Sequence, residues 1–421
     1  MGTLVQYITE FAPRSFAEYP MTAVDILLLT ELLYLKFDHI IPTEATEALS
    51  LAEAGALFLE NLEHHQKNNA FLVTDHRVNT LKASFQANRY AEVELFHFIN
   101  DISIMEEKQF AASTYRISND TYLIVFRGTD DTLVGWKEDF NLSYSDEIPA
   151  QTEAAQYLED IANKIEGNFY VSGHSKGGNL AIYAATTAHF DDNRLLGVYS
   201  FDGPGFHPNF LQENNFIAIA DKIHYYIPQE AIVGEILTRN AQPTIIKSKQ
   251  FGLLQHDPNN WEIDEEGQFV EVEETTALSV LIAETFKRWL NQRNNAELKR
   301  FFDTIFELFQ QANITSLNDL TDNFWDCIRK IRSAISELDP DLRDIIDSDL
   351  NALLEIAWNI SKEQNIEQYH SWQQALEEWF TSLKDATIAR LFPGKDTITL
   401  SPPPRTQPPV NPITKEELWK K

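Results

Sequence analysis

Two apolar runs flank Gly173-His174-Ser175-Lys176-Gly177, a Gly-x-Ser-x-Gly pentapeptide with one more glycine, Gly178, directly behind it. A serine at that spacing is a candidate nucleophile. Phe169-Tyr170-Val171-Ser172 before it reads as a buried strand, and Asn179-Leu180-Ala181-Ile182-Tyr183-Ala184-Ala185 after it reads as the start of a helix. Between the two the chain must turn sharply, which pushes the hydroxyl out at the carboxyl end of a sheet. Gly173, Gly177 and Gly178 remove the side chains that would hold strand and helix apart. The amino end of the helix favours negative charge near Ser175.

A serine hydroxyl is a weak nucleophile until a base takes its proton. Eleven histidines compete for that part. His64, His65 and His76 precede the sheet, and His174 points elsewhere from such a turn, so a structural role is expected for it. His256, in Leu254-Gln255-His256-Asp257-Pro258, follows the last expected strand and satisfies the chain order nucleophile, acid, histidine. The acid fixes the imidazole tautomer. Two carboxylates after strands fit: Glu230, ending Tyr225-Tyr226-Ile227-Pro228-Gln229-Glu230, and Asp202, opening Asp202-Gly203-Pro204-Gly205. Glu230 is nearer in sequence to the His256 loop and is preferred; Asp202 can serve simply to cap a turn. Negative charge developing on a substrate oxygen needs backbone donors. The Lys176 amide supplies one, and the loop Arg127-Gly128-Thr129 supplies the second, with Thr129 offering both amide and hydroxyl. Arg127 and Asp139 read equally well as a buried pair holding this loop or as a half-buried surface pair.

The elements that must carry these residues follow from periodicity. Short β-rich runs over 92–98, 109–116, 122–127, 169–173, 196–201, 222–227 and 244–249 alternate with helical stretches such as 151–164 and 175–187, the pattern of a largely parallel sheet flanked by helices. With the serine turn, this is the α/β class, and within it the α/β-hydrolase sheet. N-terminal helices are expected within 1–68, around 25–35 and 44–65, ahead of a catalytic domain over 69–275. Residues 276–392 read as a helical bundle, in which apolar and aromatic positions recur every three or four residues and pack a core. The segment 393–421, with Pro402-Pro403-Pro404 and Pro408-Pro409, reads as an extended, mobile tail.

Composition narrows the function. The 421 residues carry a net charge of −30, which disfavours nucleic acid and anionic lipid headgroups, since phosphate needs clustered Lys and Arg. The single cysteine, Cys327, excludes an intrachain disulfide and reads as a buried thiol. No run approaches the roughly 18 apolar residues of a membrane span, and no secretory leader is read at the start, so a cytoplasmic protein is expected. No metal-ligand spacing and no Gly-x-Gly-x-x-Gly occur, so neither metal nor organic cofactor is expected.

Phe126-Arg127-Gly128-Thr129, Trp136 with Asp139, Gly173-His174-Ser175-Lys176-Gly177-Gly178 and Phe201-Asp202-Gly203-Pro204 resemble the class 3 lipase pattern of α/β-hydrolases. To about residue 310 the chain is more similar still to a bacterial family of lipase-like proteins of unassigned function, through Glu107-Lys108-Gln109-Phe110-Ala111-Ala112, the run from Gly128 to Asp139, and Gln255-His256-Asp257-Pro258. The resemblance implies acyl-ester hydrolysis through Ser175, the acid at Glu230, the histidine at His256 and an oxyanion contribution from Thr129. Lys176 stands where the lipases usually have Leu, which is expected to place a charge beside the acyl site, and Glu230 stands where they have Asp. Three readings follow: a serine esterase or lipase-like hydrolase acting on a small acyl ester or lipid-like substrate; a catalytically silent hydrolase fold that meets protein partners through the helical region or the Pro-rich tail; and a triad enzyme acting on thioesters or peptides.

Overall fold

A computed structural model describes residues 2–43, 47–68, 72–130, 132–250, 252–312, 314, 330, 333–335 and 339–363. The Pro-rich tail, Cys327 and the end of the expected helical bundle lie outside these residues. Met1–Gln364 forms one compact unit.

Among the described residues the first helices are α1 (Leu4–Phe11), α2 (Ala23–Leu32), α3 (Leu51–Glu60), α4 (Leu62–Asn68), α5 (Asp75–Phe85) and α6 (Asn88–Ala91). α2 begins at a reciprocal cap, in which Thr22 and Asp25 each accept the other's backbone N–H. Every residue from Val24 to Leu32 is buried, as expected of a helix that is apolar nearly all round. Its two carboxylates are therefore paired. Asp25 accepts from Arg89 Nε at 2.9 Å and from the Tyr90 hydroxyl, and Glu31 meets Arg77 of α5 at 3.0 Å.

Among the described residues nine strands form one sheet in which each strand pairs with the next in the chain. β1 (Leu49–Ser50), β2 (Glu94–Ser103), β3 (Lys108–Arg116) and β4 (Thr121–Phe126) run antiparallel. β4, β5 (Asn168–His174), β6 (Leu195–Phe201), β7 (Ile223–Pro228) and β8 (Thr244–Ile246) run parallel, and β9 (Glu271–Val272) closes the edge antiparallel. The parallel connections carry α7 (Leu133–Asn141), α8 (Pro149–Lys164), α9 (Lys176–Thr187) and α10 (Asn214–Ile219). Alternation along β4 assigns the two faces: Leu123 and Val125 pack with α1, α2 and α5, while Ile124 and Phe126 pack with α8 and α9. The sheet is thus covered on both sides, the arrangement that parallel strands require.

After the sheet come α11 (Ala277–Asn291), α12 (Asn295–Gln311) and Pro340–Glu363, here α13. The aromatic stripe of α12 is core, with Phe301, Phe302 and Phe306 buried. Phe302 stacks on Phe140 of α7, ring centroids 4.6 Å apart. Asp349 of α13 accepts from Trp289 and Arg293. Among the described residues no helix is long and apolar enough to cross a membrane.

Candidate active site

Because β4, β5 and β6 are parallel neighbours, the loops leaving them emerge at one edge of the sheet. Ser175 leaves β5 with φ 59° and ψ −135°, a conformation costly for a residue with a Cβ and characteristic of strained functional turns. Its amide donates to the Phe201 carbonyl at the end of β6 (2.9 Å), and its hydroxyl makes no hydrogen bond among the described residues. The turn closes only because a Cβ at Gly173 would strike the Gly177 backbone, and one at Gly177 the Phe126 carbonyl. Gly128 brings the loop after β4 against the serine: a Cβ there would lie 2.9 Å from Ser175 Cβ.

The carboxylate beside His256 differs from the expectation. His256 Nδ1 lies 2.6 Å from Asp202 Oδ2, not against Glu230. Asp202 is fully buried, and its other oxygen accepts from the Gly234 amide at 3.0 Å. The Glu230 carboxylate instead accepts the Gly252 amide, and the Glu230 amide donates to Gln255 Oε1, so Glu230 braces the turn that leads to His256. The reason is lateral. β6 is the hydrogen-bonded neighbour of β5, whereas β7 is one strand further away. The signal was present as an aspartate directly after the strand next to the one that leads to Ser175; Asp202 also adopts φ 47°, which short polar side chains tolerate. Burial opposes charge on His256, but the Asp202 carboxylate outweighs it and raises the imidazole pKa. About a quarter of the His256 side chain, 27 %, faces solvent.

Lys176 also departs from expectation. Its ammonium is buried and turned away from the serine, donating to Glu138 (2.6 Å) and to the Gln109 carbonyl (2.8 Å). Glu138, from α7, further accepts from the Gln109 and Ala150 amides. No net charge is added beside Ser175; what Lys176 presents there is its backbone N–H, in the first turn of α9, where amides lack intrahelical partners. Lys176→Met strands a buried carboxylate and is expected to cost about 3–5 kcal/mol, with Lys176→Met/Glu138→Gln recovering much of it. Urea unfolding measures both; a loss below about 1 kcal/mol in the single variant contradicts the pairing.

Thr129 is half-buried and its hydroxyl donates to Asp139 (2.7 Å), so that proton is committed to the carboxylate. Burial raises the Asp139 pKa to about 6, against the lowering pull of Lys176 and Thr129. Arg127 does not pair with Asp139. It is buried, donates to Asn100 (2.9 Å) and stands 3.8 Å from Asp130, and burial lowers its pKa. His174, expected to be structural, is buried between the N-terminal helices and the His256 loop.

Helices on both faces of a sheet that is parallel through its centre, with a strained serine where strand turns to helix, make this an α/β-hydrolase-like fold. The chain belongs to the Mbeg1-like family, whose model matches residues 84–307, more than half of its length. Among solved structures it is similar to M37 lipase, at 14 % identity over 51 % of this chain and 70 % of that one, with a TM-score of 0.33. It is similar also to the native Rhizomucor miehei lipase propeptide complex (15 %, 48 % and 67 %, 0.30). A fungal lipase–inhibitor complex gives 15 %, 62 % and 94 %, and 0.34. None of the curated proteins matches the chain.

Proposed function

We propose that this protein is a serine hydrolase that cleaves carboxylic esters of small acyl or lipid-like substrates through an acyl-enzyme. The observation that carries the reading is the pairing of His256 Nδ1 with buried Asp202 at the edge of the sheet where Ser175 is held at positive φ. Ser175 Oγ attacks the ester carbonyl while His256 Nε2 takes its proton. Asp202 holds the imidazole tautomer and stabilises the imidazolium. The amides of Lys176 and Thr129 face the oxyanion. His256 then protonates the departing alcohol, and water, deprotonated by the same imidazole, releases the acid and restores Ser175. The test is labelling of the whole protein with a fluorophosphonate and mapping of the adduct by mass spectrometry. The adduct is expected on the peptide holding Ser175. Failure to label, together with no turnover across a broad ester panel, overturns the reading in favour of a silent hydrolase fold.

The base must be neutral to accept a proton. Because Asp202 raises the His256 pKa, the acid limb of kcat/KM for a p-nitrophenyl ester is expected above the ordinary histidine value of about 6.5. Activity rises with pH through that limb. A limb below about 6.5 contradicts the pairing.

A further inference from the structure

His256 is held at two points. Asp202 fixes its side chain, and a second group fixes its main chain: His174 Nε2 lies 2.9 Å from the His256 carbonyl. A carbonyl only accepts, so Nε2 carries the proton. The two rings lie 4.6 Å apart. The other edge of His174 faces α2, with Nδ1 3.0 Å from Glu31 Oε1 and 3.1 Å from the Tyr34 hydroxyl. Glu31 is itself anchored to Arg77 of α5, and burial, which would push its pKa up, is overcome by Arg77 and His174, which hold it down at about 2. A continuous chain of contacts therefore runs from the N-terminal helices through the residue preceding the serine to the backbone of the base.

We infer that His174, oriented by Glu31, is a positioning residue that fixes the direction of the His256 imidazole by anchoring its main-chain carbonyl. This rests on the hydrolase reading above. A hydrogen bond to Asp202 alone leaves the ring free to pivot about Nδ1; the second anchor removes that freedom and sets where Nε2 points. Misplacing a catalytic group by about 1 Å costs on the order of 100-fold in rate.

Two amide variants separate positioning from packing. Glutamine places a donor where His174 Nε2 stands, and asparagine places one where Nδ1 stands. For hydrolysis of p-nitrophenyl acetate, His174→Gln is expected within a few-fold of the unaltered protein. His174→Asn is expected to lose on the order of 100-fold in kcat with little change in KM. The proton NMR signal of the His256–Asp202 hydrogen bond gives a readout that needs no turnover: it should persist in the glutamine variant and shift or broaden in the asparagine variant. An unchanged signal and rate in folded His174→Asn, or equal losses in both variants, overturns the inference. Should the unaltered protein hydrolyse nothing, the ester reading fails, and the NMR comparison still decides whether His174 positions His256. If His174→Asn does not fold, Tyr34→Phe, which leaves the Nε2 contact in place, is expected to keep both signal and rate; their loss overturns the inference.

Discussion

Ser175→Ala is expected to abolish fluorophosphonate labelling and to lower turnover of a short p-nitrophenyl ester by about 10⁶-fold, the loss typical of a removed serine nucleophile. Its unfolding curve should match that of the unaltered protein, because the hydroxyl makes no hydrogen bond among the described residues and alanine keeps the same Cβ. Ser175→Gly separates the two properties further. The backbone at φ 59° suits glycine, so this equally inactive variant should be more stable, by about 1 kcal/mol. Undiminished labelling of Ser175→Ala would sink the nucleophile assignment.

The second expected result concerns the two carboxylates. Asp202→Asn should lower turnover by about 10⁴-fold, because the amide can still accept from Gly234 but no longer fixes the tautomer of His256. Glu230→Gln should stay within a few-fold, since its amide oxygen still accepts the Gly252 N–H. Both are compared at matched folded fraction. A collapse in Glu230→Gln, with Asp202→Asn near normal, reverses the roles.

What was legible in the sequence is what neighbouring residues decide. The glycines around Ser175, the apolar strands β4 to β7 and the helices α8 and α9 follow from local pattern, and each lies within a few residues of its expected place. The carboxylate that meets His256 did not, because strand adjacency is a lateral property: Asp202 and Glu230 both follow strands and both precede His256, and nearness along the chain favoured Glu230, which His256 does not meet. The direction of Lys176 depended on Glu138, in a nine-residue helix, α7, that the periodicity did not bring out. The same helix supplies Asp139, which takes the Thr129 proton assigned beforehand to the oxyanion. His174 could be placed as structural, but nothing in its neighbours pointed to Glu31, 143 positions earlier.

The buried helix α2 has a consequence for synthesis. Thr30 meets the Ser172 hydroxyl on β5, 142 residues further along the chain. At roughly 5–20 residues per second, the ribosome takes on the order of 7–30 s to deliver that partner. During this interval Leu27, Leu28, Leu29 and Leu32, all fully buried in the finished protein, lack β5, the central strand of the sheet that covers them. Codon usage between α2 and β5, and the supply of chaperones that shield apolar helices, therefore bear on the yield of active protein even where they leave the sequence unchanged.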